Sequence, residues 1–127
     1  MERLFQGSCH CGTVRFEARG DLDEGTSRCN CSWCRKVRSW GVRMKPDSLR
    51  ITQGEGDLGR YCFEFDETRP EHCFCSKCGA QLFGRGHVPE LGGDFLTVQI
   101  SALDDASIEE IVAASVIWCD GLHDNWW

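Results

Sequence analysis

Two short stretches, Cys75-Ser76-Lys77-Cys78-Gly79 and Cys9-His10-Cys11-Gly12, decide how this chain folds. Each stretch holds two neighbouring cysteines followed by a glycine, which suits the positive φ that a tight turn often needs. Two cysteine pairs from distant parts of a chain can supply the four thiolates of a closed tetrahedral zinc site. Thiolates select zinc or another thiophilic ion, and the spacing differs from the ferredoxin runs that bind iron–sulfur clusters. The sequence therefore predicts a Cys₄ zinc site.

The two residues of the C-x-C pair are expected to bind one metal from the same side of a strand. Residues i and i+2 of a strand point to the same face, so Cys9 and Cys11 can offer both sulfurs to one ion. The C-x-x-C turn of Cys75 and Cys78 brings its two sulfurs together by curling. A site built from both pairs would tie an early hairpin to a late one.

A third cluster consists of Cys29, Cys31 and Cys34 and has no obvious fourth partner. Three thiolates can hold zinc and leave the fourth position to water or to an incoming thiol. The cations Arg35 and Lys36 follow directly and favour the thiolate form. The alternative is a fourth protein ligand from elsewhere in the chain, and the candidates are His72, His87, His123, Cys62 and Cys119.

The other cysteines and the tryptophans beside the third cluster have plainer interpretations. Cys62, Cys73 and Cys119 are expected to be small buried residues, as free cysteines often are. Trp33 and Trp40 flank the cluster, and they either pack in the core or form the wall of an apolar pocket.

Length and composition are typical of a single domain, over residues 1–127, that is stabilised by zinc. A chain of this size builds only a modest core, so metal ions would add considerably to its stability. No apolar run is long enough for a transmembrane helix, and the first residues lack the apolar region of a secretory signal. We therefore expect a cytoplasmic protein with reduced thiols. Disulfides are the alternative, but C-x-C and C-x-x-C neighbours rarely have the separation that they require.

Charge is distributed unevenly along the chain, whose net charge is -6. Residues 28–50 contain seven Lys or Arg against one Asp, a local excess of six positive charges around the third cluster. Residues 101–127 contain six acids and no Lys or Arg. The basic segment is either a site that attracts an anion or a solvated strand. Nucleic acid is an unfavourable partner because the pI is about 5.1.

Hydrophobic periodicity predicts a mainly β, mostly antiparallel domain with at most one short helix. Apolar and polar residues alternate as they do in half-buried strands, and frequent glycine-rich turns separate them. Residues 104–113 are the helix candidate, with acids in the first turn. The predicted strands cover residues 12–19, 39–45, 49–52, 61–65, 95–100 and 114–118.

The order of the three cysteine blocks resembles the glutathione-dependent formaldehyde-activating (GFA) family, which includes centromere protein V. The blocks are residues 7–12, 29–36 and 74–79, and the resemblance spans residues 7–118. It implies a small β-tent fold with two zinc ions. Cys9, Cys11, Cys75 and Cys78 would hold a structural ion, and Cys29, Cys31 and Cys34 a catalytic one.

The activity implied by the resemblance is condensation of formaldehyde with glutathione to S-(hydroxymethyl)glutathione, a carbon–sulfur lyase reaction. Its partners would be a small thiol and a small aldehyde, with no membrane. Glutathione carries two carboxylates, and the basic segment 28–50 is the expected surface for binding them. Because fold does not determine function, a non-catalytic zinc module that binds a protein or nucleic acid is the alternative.

Overall fold

The chain forms ten β-strands and two short α-helices in a computed structural model that describes residues 1–62, 70–89 and 92–123. The helices are α1 (Ser32–Val37) and α2 (Ile108–Ala113). The strands are β1 (Arg3–Ser8), β2 (Arg15–Gly20), β3 (Thr26–Cys29), β4 (Trp40–Met44), β5 (Arg50–Gln53), β6 (Leu58–Cys62), β7 (Glu71–Cys75), β8 (Gln81–Val88), β9 (Gly93–Gln99) and β10 (Val116–Cys119).

All ten strands belong to one sheet whose main path runs β1-β2-β4-β9-β8-β7-β6. Strand β5 joins β2, and β3 joins β4 and carries β10 on its other side. The β3–β10 pair is parallel, and the other pairs are antiparallel. The parallel pair brings the C-terminal region beside the third cysteine cluster, because Cys119 is the register partner of Cys29.

The core lies on the inner face of the sheet, where alternate residues of the central strands are buried. Phe16 and Ala18 of β2 are fully buried, as are Leu96 and Val98 of β9. Burying alternate apolar side chains fixes the register, because a slip of one residue would turn them all to solvent. Gly7 of β1 lies against the Phe16 ring so closely that any side chain there would overlap it.

The structure confirms the mainly β, antiparallel fold and most of the predicted strands. The strand predicted at residues 61–65 is seen as β6 up to Cys62, and its remaining residues lie outside the described part of the chain. The predicted helix begins at Ile108, later than expected, because Ser107 and Glu110 form a capping box. Asp105 instead accepts a hydrogen bond from the Gln6 backbone N–H.

Helix α1 was not predicted, and it makes two short helices where at most one was expected. Its six residues carry no apolar repeat and none is buried, so hydrophobic periodicity gives no signal there. The helix is defined by its ends. The Cys31 Sγ accepts a hydrogen bond from the Cys34 backbone N–H, and Arg38 closes the helix in the left-handed conformation, with φ of 54°. No helix in the described ranges is long and apolar enough to cross a membrane.

Candidate metal centres

The first cysteine cluster joins two hairpin turns of similar construction. Cys9 and Cys11 lie in the turn between β1 and β2, and Cys75 and Cys78 at the turn between β7 and β8. The prediction that Cys9 and Cys11 lie in a strand is therefore wrong, because both residues lie in the turn. Each turn is closed by a backbone bond from its glycine, with Gly12 donating to Cys9 at 3.2 Å and Gly79 to Cys75 at 2.8 Å.

Both glycines have the positive φ that the sequence predicted, 78° for Gly12 and 79° for Gly79. A residue with a side chain rarely adopts this conformation. Each glycine therefore lets its turn curl back so that both thiols of the turn face the same point.

The four sulfurs of this cluster are placed as a tetrahedral metal site requires. All four lie within 4.8 Å of one another. Cys11 Sγ is 3.6 Å from Cys9 Sγ and 3.8 Å from Cys75 Sγ. A tetrahedron with zinc–sulfur bonds of about 2.3 Å has sulfurs about 3.8 Å apart. The residues therefore fit a thiophilic divalent ion such as zinc.

The surroundings of this cluster favour the thiolate, the metal-binding form of cysteine, at Cys78 and Cys11. At Cys75 the Cys78 backbone N–H favours the thiolate, but burial and the hydrogen bonds with the Cys9 and Cys78 thiols together outweigh it and raise the pKa to about 11. Backbone N–H groups of Cys11 and Ala80 lower the pKa of the Cys78 thiol to about 6. The hydrogen bond with the Thr13 hydroxyl lowers the pKa of Cys11. The backbone N–H groups of Val14 and Lys77 point at Cys9 Sγ and Cys75 Sγ, at 3.3 and 3.4 Å.

The second cluster brings Cys29, Cys31 and Cys34 together at the junction of β3 and α1. Their sulfurs also lie within 4.8 Å of one another, and all three residues are half-buried. Cys29 ends β3, Cys31 caps α1, and Cys34 lies in the first turn of that helix. The backbone N–H groups of Cys31 and Cys34 donate to the preceding sulfur of the cluster, each at 3.3 Å.

Within the second cluster the three thiols differ in acidity. The hydrogen bond from the Cys34 thiol is the main cause that lowers the pKa of Cys31 to about 5, and the Cys34 backbone N–H adds to it. The same bond raises the pKa of Cys34 above its usual range. Burial raises the pKa of Cys29. Cys31 is therefore the most acidic of the three thiols.

None of the five alternative ligands belongs to this cluster, which has three members in the part of the chain that the structure describes. His87, near the end of β8, pairs with Asp94, near the start of β9, at 2.8 Å. His72 stacks on Trp33, with ring centroids 4.2 Å apart. Cys62 is exposed, which contradicts the expectation that it is buried, and Cys119 is half-buried. Cys73 is completely buried as expected, and burial raises its pKa to about 11.

The segment after β10 holds the loop between Cys29 and Cys31, a role that was not recognised in the sequence. The Asn30 side chain donates to Asp120 Oδ1 at 2.8 Å and accepts from the Leu122 backbone N–H at 3.0 Å. The other partner of Asp120 is His123, at 2.9 Å. The structure describes this segment up to His123.

Replacing Asp120 by alanine should weaken metal binding at the second cluster by about tenfold or more, as losing an outer-shell partner does. The cause is release of Asn30, which fixes the two cysteines on either side of it. Chelator competition on the metal-loaded protein measures this affinity. Glu109→Ala removes an exposed acid of α2 and is the control. Equal affinities for the two variants would contradict the role of Asp120.

Trp33 attaches α1 to the paired strands β6 and β7. Its ring stacks on Tyr61 at 5.3 Å and on His72 at 4.2 Å, and these two residues are register partners on neighbouring strands. Trp40 donates from Nε1 to Thr26 Oγ1 at 2.8 Å, and the Arg28 guanidinium lies over its ring. Both tryptophans are therefore packing residues.

Several cations of the basic segment 28–50 are engaged in contacts within the protein, so fewer of them are available to a ligand than the composition indicated. Arg50 pairs with Glu17 at 2.9 Å and Lys45 with Glu2 at 3.0 Å. Arg28 lies between the rings of Trp40 and Trp118. The residues of the segment that make no ion pair in the described ranges include Arg35 and Lys36 of α1, Arg38 at its end, and Arg43 of β4, whose positive charge acts on Cys119 beside Cys29.

The fold and these two clusters define a small β-sheet protein with two groups of cysteines that could each hold a metal ion. The profile of the family described as glutathione-dependent formaldehyde-activating enzyme (GFA) matches residues 4–121. The chain belongs to this family.

Two similar proteins extend the comparison. One, from Halomonas elongata and provisionally named glutathione-dependent formaldehyde-activating enzyme, is 36% identical over 86 residues, or 63% of this chain. The chain spans about half the length of that relative, 55%. A crystal structure of a Rhodobacter sphaeroides protein superposes with a TM-score of 0.70, covering 89% of this chain and 98% of that one. At 24% identity it supports the fold alone.

Proposed function

We propose that this protein is a cytoplasmic, zinc-dependent carbon–sulfur lyase that adds a thiol such as glutathione to formaldehyde or another small aldehyde. The observation that carries the proposal is the second cluster. It has three half-buried thiols and no fourth ligand among the described residues. Closed four-ligand sites are structural, whereas catalytic sites keep a position for water or substrate.

The two clusters take different roles in this proposal. Cys9, Cys11, Cys75 and Cys78 hold a structural zinc ion that joins the two hairpin turns. Cys29, Cys31 and Cys34 hold the catalytic one. When bound there, zinc supplies a Lewis acid that favours the deprotonated form of a coordinating thiol.

The residues of the chain prepare this second site for a thiol substrate. The backbone N–H groups of Cys31 and Cys34 help to hold thiolates in place, and Trp33 fixes the helix that carries Cys34. Positive charge on α1 attracts the anionic thiol substrate. The reaction forms one C–S bond at the carbonyl carbon, opens the C=O double bond, and transfers the thiol proton to the oxygen.

The test is condensation of glutathione with ¹³C-formaldehyde, followed by exchange NMR. The zinc-loaded protein should accelerate exchange between free formaldehyde and S-(hydroxymethyl)glutathione over the buffer rate. Glutathione binding should be saturable and should weaken as salt rises, because long-range charge is screened. Bovine serum albumin at equal thiol concentration controls for free cysteines. No acceleration and no binding at millimolar glutathione would contradict the proposal.

A non-catalytic zinc module is the second candidate, and one surface favours it. Strand β10 lies at an edge of the sheet and exposes Ile117 by 59% and Trp118 by 75%. Exposed apolar edge strands are suited to pairing with another protein. An inactive protein that nevertheless binds two zinc ions would support this function.

A further inference from the structure

A cavity of about 680 Å³ lies between the far end of α1 and the first cysteine cluster. Small-molecule sites have volumes of about 300–1,000 Å³. Neither the sequence motifs nor the family match assigns a ligand to this cavity. Its wall includes Val37 and Arg38 from the end of α1, Cys9 and Gly79 from the two hairpin turns, and Asp104 from the segment after β9.

The cavity wall holds two opposite charges that do not neutralise each other. Arg38 and Asp104 both line it, yet the side chain of neither makes a hydrogen bond or ion pair within the described ranges. The neighbouring residue Asp105, by contrast, is paired with Arg3, which also pairs with Glu110. A ligand with a negative and a positive group would complement this wall.

The position of Arg38 is held by backbone bonds and by a neighbouring side chain. Its N–H donates to the Cys34 carbonyl as it closes α1, and the Ser39 N–H donates to the same carbonyl at 3.0 Å. Gln99 donates from Nε2 to Ser39 Oγ at 3.0 Å and accepts from the Trp40 N–H at 3.1 Å. The residue that carries the positive charge is thus tied directly to a cysteine of the second cluster.

We propose that this cavity binds the zwitterionic α-amino-acid end of the thiol substrate. Arg38 binds its α-carboxylate and Asp104 its α-ammonium group. Guanidinium groups bind carboxylates through paired hydrogen bonds, which are among the stronger ones in proteins. The neutral polar side chains Ser8, Gln81 and Ser101 also line the cavity and suit the peptide groups of such a ligand. This inference rests on the proposed function for its thiol.

The separation of Arg38 from Cys34 along α1 can be compared with the dimensions of a tripeptide. None of the three cysteines of that cluster lines the cavity. The four residues from Cys34 to Arg38 rise by about 6 Å along a helix. An extended tripeptide spans about 10 Å at 3.3–3.6 Å per residue. The middle residue of such a tripeptide lies about 5 Å from its amino-acid end, which is comparable with the rise from Cys34 to Arg38.

The experiment uses the zinc-loaded protein and S-methylglutathione, which has both charged ends but no free thiol. Calorimetry should give a Kd for Arg38→Gln and for Asp104→Asn that is at least about tenfold weaker than for the unmodified protein, since each loses a charge-assisted hydrogen bond. Arg19→Gln and Glu109→Gln remove exposed charges outside the cavity, and their Kd should change by less than about twofold.

A second ligand identifies which residue meets which group. S-Methyl-glutaryl-cysteinylglycine lacks only the α-ammonium group of S-methylglutathione. The Kd of this second ligand should not change with Asp104→Asn, and it should still rise about tenfold with Arg38→Gln. Equal losses for both ligands with Asp104→Asn would overturn the assignment of the ammonium group.

The outcomes separate this inference from the proposed function. Acceleration of the formaldehyde reaction with 2-mercaptoethanol, a thiol without charges, tests the function alone. If that reaction is accelerated while S-methylglutathione binds all variants equally, the cavity is not the subsite. If S-methylglutathione binding depends on Arg38 and Asp104 in a protein without activity, the cavity is a binding site and the lyase function is wrong.

Discussion

Replacing Cys78 by serine is expected to leave the protein largely unfolded or aggregated. The four cysteines of its cluster join the β1–β2 turn to the β7–β8 turn. Structural zinc contributes about 10–16 kcal/mol of apparent binding free energy in zinc-finger peptides at pH 7. The whole stability of a small domain is only about 5–15 kcal/mol. Circular dichroism melting together with zinc content per chain measures the effect.

Cys62→Ser is the matched control for this experiment. Cys62 is an exposed cysteine on β6 that belongs to neither cluster, so its replacement should leave both the melting temperature and the zinc content unchanged. A soluble Cys78→Ser protein that melts at the temperature of the unmodified protein would show that the first cluster is not the structural one.

Replacing Cys31 by alanine is expected to abolish thiol–aldehyde condensation while the fold persists. The variant loses one of three ligands at the second cluster, so zinc content should fall from two ions per chain to one. It also loses the cap that its Sγ provides to the Cys34 N–H, which costs only about 1 kcal/mol. We therefore expect a change of a few degrees in melting temperature, in contrast to Cys78→Ser.

Cys119→Ala provides the comparison, because Cys119 is the register partner of Cys29 but lies outside the cluster. It should retain two zinc ions and full activity. Cys31→Ala protein that keeps the activity, or that unfolds as completely as Cys78→Ser, would contradict the division of roles between the two clusters.

Local patterns in the sequence predicted the sheet but not every element of it. Strands such as β2 and β4 alternate apolar and polar residues, and this alternation predicts a strand directly. Helix α1 was missed because it buries no side chain and is set by its caps at Cys31 and Arg38. Cys62 was expected to be buried because its neighbours are aromatic, but β6 lies at the edge of the sheet.

The charge pattern was only a partial guide to the site. The excess of positive charge in residues 28–50 is visible in the sequence, but the partners of those charges are not. Glu17 of β2 pairs with Arg50, and Glu2, just before β1, pairs with Lys45. Both acids are distant in sequence from the cations that they neutralise. The sequence also does not show that Arg38 lies in the same cavity wall as Asp104. The proposed binding of a zwitterionic group depends on both residues.

By itself the sequence determined the family, the mainly β fold and the grouping of the seven clustered cysteines. The family depends on the spacing and order of the cysteine blocks, and the fold depends on the alternation of apolar and polar residues. Local spacing brings together the cysteines within each block, whereas joining Cys9 and Cys11 to Cys75 and Cys78 requires the tertiary contact between the two hairpin turns. Only the tertiary structure decided which remote groups complete the site. Asp120 reaches Asn30 because β10 pairs in parallel with β3, and long-range pairing of this kind leaves no periodic signal in either segment.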